Sequence, residues 1–221
     1  MSLKVVAFCG YFCNRVLMWR PEDHDAHKFI QAIKAKSMNM YGYVPVRGVK
    51  QRLSNDNAAD AVGWFATFVL DHLTAKKLKG PFLVVPVPNS DTTLSSSSKP
   101  RTKRLAKAIC DVLNDGSKVV DCLRVKQDLG SASEDRGPRA ANVLYGNLAL
   151  LRDVVKGVDK DAKVLLVDDV TTSGGHLQAC AAKLATVGLE VDMVMCAGKT
   201  VYDQDERAFH TYEYKLDQYE P

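Results

Sequence analysis

The sequence lacks most of the features that would take it out of the ordinary globular class. No apolar run approaches the ~20 residues needed to cross a bilayer as a helix; the longest, residues 62–70, contains Gly63 and Thr67 and stops at Asp71. The apolar stretch near the N-terminus, residues 4–18, carries Arg15 and no convincing cleavage site, which argues against a secretory signal. Neither sign of charge dominates: 30 Lys and Arg face 26 Asp and Glu, and a formal net charge of +4 is too mild to argue for nucleic acid. There is no internal repeat, no separate ATP-binding signature and no nucleophile–base pair that would demand covalent catalysis. The six cysteines, Cys9, Cys13, Cys110, Cys122, Cys180 and Cys196, are scattered, several of them in apolar patterns, as free thiols are in reducing compartments. A cytoplasmic protein with no membrane partner is therefore expected.

What is present suffices for a core: 46% hydrophobic residues over 221, the size of one α/β domain with an added segment. Apolar runs predict strands at residues 4–9, 82–87, 118–125, 163–167 and 190–197, with further extended segments at 41–49 and 142–150. Helical spacing marks residues 25–36, 57–73, 100–114 and 177–187; the second of these carries Val62, Phe65, Ala66, Val69 and Leu70 on one broad face. From residue 57 onward strands alternate with helices, which predicts an α/β fold with a mainly parallel sheet and helices on both faces. The expected division is a 1–56 accessory segment, a 57–200 α/β domain and a 201–221 tail that is acidic and rich in tyrosine.

Residues 164–176 are the most informative. An apolar strand ends in two adjacent carboxylates, Asp168 and Asp169; Val170, Thr171, Thr172 and Ser173 lead to Gly174, Gly175 and His176, and an alanine-rich helix follows. The amides of such a turn and the start of the helix offer an anion unpaired N–H groups and roughly half a unit of positive charge. The two glycines let backbone approach a phosphate closely, and the hydroxyls add donors. Two carboxylates beside a phosphate make sense if they accept hydrogen bonds from neutral hydroxyls, such as a ribose diol, or stand beside a divalent metal. An ordinary βα turn would need neither the double acid nor so many donors.

Asp-Asp-Val-Thr-Thr-Ser-Gly-Gly after an apolar strand resembles the phosphoribosyl-pyrophosphate (PRPP) signature of type I phosphoribosyltransferases. The resemblance implies a phosphoribosyltransferase-like, doubly wound α/β fold with a small N-terminal hood, and a homodimer. The implied activity is Mg²⁺-dependent transfer of ribose 5-phosphate from PRPP to an acceptor nitrogen, on a nucleobase, with release of diphosphate. Asp168 and Asp169 would then bind the ribose 2′ and 3′ hydroxyls and residues 171–175 the 5′-phosphate, with Mg²⁺ arriving on PRPP rather than in a cage of protein ligands. His176 stands where the family has a small hydroxyl residue; it either contacts the phosphate or caps the helix start.

Three more segments extend this reading, each with a plainer alternative. Pro86, Val87, Pro88, Asn89 and Ser90 follow a buried strand and resemble the diphosphate-binding turn; they would equally suit a sheet-edge turn. Lys99, Arg101, Lys103, Arg104 and Lys107 offer cations to a diphosphate, Arg101 and Arg104 sharing one helix face, or else form a solvated basic face or a non-specific nucleic-acid contact. Residues 124–142 are long, polar and glycine-containing, as a closing lid is, and Lys126, Arg136 and Arg139 would supply charge to the leaving diphosphate; a surface connection would look similar. Within that segment Leu123-Arg124, Gln127, Arg139 and Asn142-Val143 resemble the ComF-like branch of the family, although the paired C-x2-C of that branch is missing. Cys9, Cys13, His24 and His27 are four potential zinc ligands at irregular spacing, or else belong to a segment that covers the acceptor. Two other classes stay open: a PRPP- or nucleotide-binding regulator without turnover, and a ComF-like nucleic-acid-associated protein.

Overall fold

The computed structural model of the protein describes residues 2–14, 16–95, 100–128, 140–204 and 207–221. In chain order the strands and helices are β1 (Ser2–Ala7), β2 (Gly10–Phe12), α1 (Pro21–Ile33), β3 (Gly42–Val46), β4 (Val49–Leu53), α2 (Asp60–Ala75), β5 (Phe82–Pro86) and α3 (Arg101–Leu113). They continue as β6 (Lys118–Val119), β7 (Leu123–Val125), α4 (Ala141–Asn147), β8 (Leu148–Leu150), α5 (Arg152–Val155), β9 (Lys163–Thr171), α6 (Gly175–Ala185), β10 (Val191–Val201) and β11 (Tyr212–Asp217).

The central sheet runs β11-β1-β10-β9-β5-β6, and β2 continues alongside the end of β10. Every pairing in it is parallel except β1 with β11. Parallel strands covered on both faces read as continuous apolar runs, and β9 shows why. Leu165 and Val167 face a core made with Phe29 and Ile30 of α1, Phe65 and Val69 of α2 and Leu105 and Ile109 of α3. Val164 and Leu166 face the opposite core, with Leu177 and Leu184 of α6 and Leu123 and Leu148 of the small β7–β8 sheet. The expected α/β architecture, a mainly parallel sheet with helices on both faces, is the one observed.

Four expectations are corrected. Residues 142–150 form helix α4 and only a three-residue strand, because Leu144 and Tyr145 pack on the α6 side while the Asn147 amide holds the chain after β7, donating to Gln127 O at 2.8 Å and accepting from Gln127 N at 3.2 Å. The single strand expected at 118–125 is broken: β6 pairs with β5, and β7 turns away to pair with β8. The strand expected to stop at Val167 runs on to Thr171, so the acid pair lies in the strand rather than after it. Finally, the central sheet crosses the expected 1–56, 57–200 and 201–221 division. Apolar β1 lies inside it, and the tail supplies β11, whose alternate residues Tyr212, Tyr214 and Leu216 pack on the α6-side core. Among the strands and helices of the first 56 residues, α1 and the β3–β4 hairpin stand outside the sheet.

Phe65 is fully buried and meets the ring of Phe8 edge-on at 5.9 Å, tying α2 to the end of β1. Phe65→Ala is expected to cost about 3–5 kcal/mol of unfolding free energy, read from urea denaturation midpoints at unchanged m-value.

Candidate functional site

β9 ends between β5 and β10, and a parallel α/β sheet presents its binding crevice at the carboxyl ends of its strands. Asp168 and Asp169 are both nearly buried there. Adjacent residues of a strand project to opposite faces, and the surroundings agree. The charge of Asp168 is felt by Cys180 and Tyr214 on the α6 side, and both acid charges by Cys196 of β10 between them. Asp169 lies on the other side, near Tyr11 and 3.7 Å from the Arg101 guanidinium. Burial first, and the neighbouring Asp169 charge second, push the Asp168 carboxyl up to about 8; the Asp169 amide, donating to Asp168 Oδ1 at 2.8 Å, and the charges of Lys34 and Arg101 pull the other way.

Beyond the acids the turn opens to solvent at Thr172 and Ser173 and closes at Gly174, the residue capping α6. Gly174 has φ +80, a region that disfavours any Cβ, and a Cβ there would stand 2.2 Å from Leu216 Cδ1 of β11. Thr172 and Thr200 share a hydroxyl–hydroxyl hydrogen bond of 2.9 Å, linking the turn to the end of β10. Val170 is half-buried against the core made with α1, α2 and α3, Thr171 is buried, and His176 is the second residue of α6. The carboxylates are thus buried without being consumed by remote ion pairs, since Arg101 is itself a residue of the expected site.

The other expected residues divide. β5 ends at Pro86, beside Val167 of β9. The Val87 amide donates to Val167 O at 2.9 Å, and Val87 O accepts from Thr102 Oγ1 at 2.5 Å. Because Pro86 and Pro88 carry no N–H, only the amides of Asn89 and Ser90 are left in this turn for a ligand. Of the described cations of α3, Arg101 pairs with the acid pair, while Arg104 feels the Asp169 charge from farther off. Arg104 Nη2 donates to Ala32 O and Ile33 O, capping the C-terminus of α1, while its buried Nε has no partner among the described residues. Lys103 pairs with Asp121 at 2.8 Å and Lys107 with Asp111 at 2.6 Å. Lys126 donates to Gly146 O at 2.7 Å, and Arg124 pairs with Asp121 at 2.6 Å. Lys99, Arg136 and Arg139 lie outside the described residues. The N-terminal cysteines and histidines do not converge: the Cys9 thiol donates to Ala197 O in the core, and the His27 ring stacks on Tyr11 at 5.1 Å.

Sequence reasoning missed residues that reach this region from neighbouring strands and helices. Lys34, which caps α1, contributes positive charge at Asp168. A cavity of about 390 Å³ lies next to the turn, lined by Gly10, Arg20, Asp23, Lys199, Thr200 and Tyr212 among others. Its wall is built by Asp23, whose carboxylate accepts from Arg20 Nη2 at 2.9 Å and Gln204 Nε2 at 2.7 Å. Lys199 projects over the rings of Tyr212 and Tyr214, at 5.3 and 4.9 Å. The only sequence signal for Lys199 and Thr200 was their place at the end of an apolar strand.

A carboxyl whose pKa is raised in the folded state stabilises the fold fully below its unfolded value and loses that contribution as pH rises through its folded value. Ionised Asp168 is therefore a burden on the fold above pH 8. Asp168→Asn keeps the acceptor for the Asp169 amide and removes the charge, so its melting temperature is expected to exceed wild type at pH 8.5, with the gap closing toward pH 4 (conditions bracketing the ~4 to ~8 window). Gly174→Ala should lower the melting temperature at every pH, by strain and by its collision with Leu216.

No family model matches the chain, and no curated protein matches its sequence. Among solved structures it is similar to the adenine phosphoribosyltransferase of Thermoanaerobacter pseudethanolicus, at 16% identity and TM-score 0.40 over 77% of this chain and 99% of that one. It is also similar to the Giardia lamblia APRTase complexed with 9-deazaadenine, at 13% identity and TM-score 0.41 over 84% of this chain and 100% of that one. A third similarity is to the orotate phosphoribosyltransferase of Francisella tularensis, at 14% identity and TM-score 0.34 over 72% and 79%. Likeness of this degree carries no residue-by-residue correspondence.

Proposed function

We propose that this chain is a phosphoribosyltransferase that binds PRPP at the β9–α6 turn and transfers ribose 5-phosphate to a nitrogen of a nucleobase-like acceptor, releasing diphosphate. One observation carries the proposal: an acid pair at the end of a buried strand runs directly into exposed hydroxyls and a left-handed glycine at the start of an eleven-residue helix. The turn amides and the Thr172 and Ser173 hydroxyls receive the 5′-phosphate. Asp169 accepts hydrogen bonds from the ribose hydroxyls, and Arg101, 41% exposed and held only loosely by Asp169, is free to meet the diphosphate.

The oxygen donors of the acid pair suit Mg²⁺, and a raised carboxyl at Asp168 is what a nearby divalent charge would bring down. Bound with PRPP, the ion would neutralise charge on the leaving diphosphate. The bond from ribose C1 to the diphosphate oxygen breaks, the acceptor nitrogen's lone pair forms the new C1–N bond, and the proton of that nitrogen leaves to solvent. The developing oxocarbenium character at C1 is matched by the Asp169 carboxylate nearby, and the protein's part is positioning and charge placement. The cavity beside Thr200 receives the acceptor, with the Lys199 ammonium facing its polar edge.

A second reading has its own support. Lys126 and Arg124, the described cations of the connecting segment, are tied to Gly146 and Asp121. With these two cations committed, neither assists diphosphate departure, as suits a PRPP-binding regulator. Calorimetric titration with PRPP and Mg²⁺, followed by diphosphate release against a panel of nucleobases, separates the two. The enzyme reading expects saturable binding, release with at least one base, and a loss of about 1.5–3 kcal/mol of PRPP affinity in Asp169→Ala. Lys199→Met is expected to raise the acceptor KM and leave PRPP affinity alone. Binding without release for every base moves the protein to the regulator class; no binding by wild type ends both readings.

A further inference from the structure

We infer that the outer face of the β3–β4 hairpin is a docking surface for single-stranded nucleic acid, separate from the β9–α6 turn and independent of the activity proposed for it. Residues 26–55 contain Lys28, Lys34, Lys36, Arg47, Lys50 and Arg52 and not one Asp or Glu. These six positive charges exceed the net +4 of the whole chain, so the remainder is slightly acidic and the basic charge is concentrated in one segment.

The hairpin sorts this segment by face. Arg47 and Gly48 both have positive φ, at 48° and 80°, the two-residue turn that matches the twist of paired strands. Opposite residues of an antiparallel pair share a face, and the register places Gly42 with Leu53 and Val44 with Gln51 on the inner side. Val44 and Leu53 are buried in the core with α1 and α2. The outer side pairs Tyr43 with Arg52 and Pro45 with Lys50. Tyr41, just before β3, joins that side: the Arg52 guanidinium lies over its ring at 4.7 Å, and its ring meets Tyr43 edge-on at 5.6 Å. Tyr41 and Tyr43 are 42% and 39% exposed, and Met40 and Val49 flank them in the open.

Two carboxylates come near. Asp25 accepts from the Tyr43 amide, and Asp71 takes Arg47 in a bidentate pair, which leaves Lys50 and Arg52 without a carboxylate partner among the described residues. Exposed rings on one strand with cations on the facing strand are the chemistry of a single-strand surface: bases stack on the rings and the cations follow the phosphates. The Arg52 guanidinium already lies against one face of Tyr41, so a base would stack on the uncovered side of the two half-exposed rings. An anionic membrane would favour a deeper apolar wedge than two half-covered tyrosines.

The test is fluorescence anisotropy of the full chain with a labelled thymidine oligonucleotide of about 20 nucleotides, long enough for any single site. Duplex of the same length and phosphatidylserine vesicles serve as competitors. Wild type is expected to bind the single strand with a salt-dependent affinity, and Lys50→Glu/Arg52→Glu to weaken it about tenfold or more. Tyr41→Ser/Tyr43→Ser should weaken it by a similar factor, and Tyr43→Phe should retain it. Asp168→Ala should bind the oligonucleotide like wild type, and the hairpin variants should bind PRPP like wild type if the turn binds it, so failure at one site does not mimic failure at the other. The inference is overturned if wild type does not bind, if neither double variant weakens binding, or if duplex or vesicles compete as well as the single strand does.

Discussion

The molecule is organised around two neighbouring carboxylates carried on a strand that is buried on both faces. A strand in the middle of a parallel sheet has no solvent side, so a charge placed on it needs either a cation or a ligand to replace lost water. Asp169 has the Arg101 guanidinium at a distance too long for a firm hydrogen bond. Asp168 faces the thiols of Cys180 and Cys196 and a phenol, Tyr214, that burial pushes up to about 12. Neither arrangement is one that stability alone would select. Such a local violation of the rules for burial belongs at a functional position, where a ligand supplies what the fold withholds.

The turn that follows is held in shape from outside. Leu216 of the edge strand fills the space that a side chain at Gly174 would need, Gln178 of α6 donates to the Asp217 carbonyl, and Thr200 fixes the Thr172 hydroxyl. The β9–α6 turn is thus braced by residues at the far end of the chain, and β11, which reads as a polar tail, is one of its walls. The Arg20–Asp23–Gln204 network does the same for the neighbouring cavity, joining the loop before α1 to the loop after β10.

Charge has been partitioned in the same spirit. The cations of α3, which look like one patch in sequence, are spent in four different places: Lys103 on Asp121, Lys107 on Asp111, Arg104 on the carbonyls ending α1, and Arg101 at the acid pair. A helix sends consecutive residues around its circumference, so a basic run rarely acts as one surface. A hairpin does the opposite, collecting alternate residues on one side. The basic run at 26–55 therefore keeps Lys50 and Arg52 together beside two tyrosines.

Much was readable from local pattern. The strand–acid–turn–helix order at 164–176, the buried strand at 82–87 and the helices at 57–73 and 100–114 all depend on short-range periodicity and backbone freedom, and these survive folding. What local pattern left open depended on partners. Nothing within residues 142–150 announces a helix, because α4 exists to pack on α6; nothing near Arg104 announces the α1 carbonyls seventy residues earlier. The period-two pattern of Tyr212, Tyr214 and Leu216 was present, but it became a strand only because β1 offered an open edge. The amino-acid order thus sufficed to specify a glycine-containing turn behind two acids, since that information is carried by side-chain type and local φ. Which cations meet those acids, which are diverted to caps and ion pairs, and which distant strand closes the turn were decided only in three dimensions, because each is a contact between residues far apart in the chain.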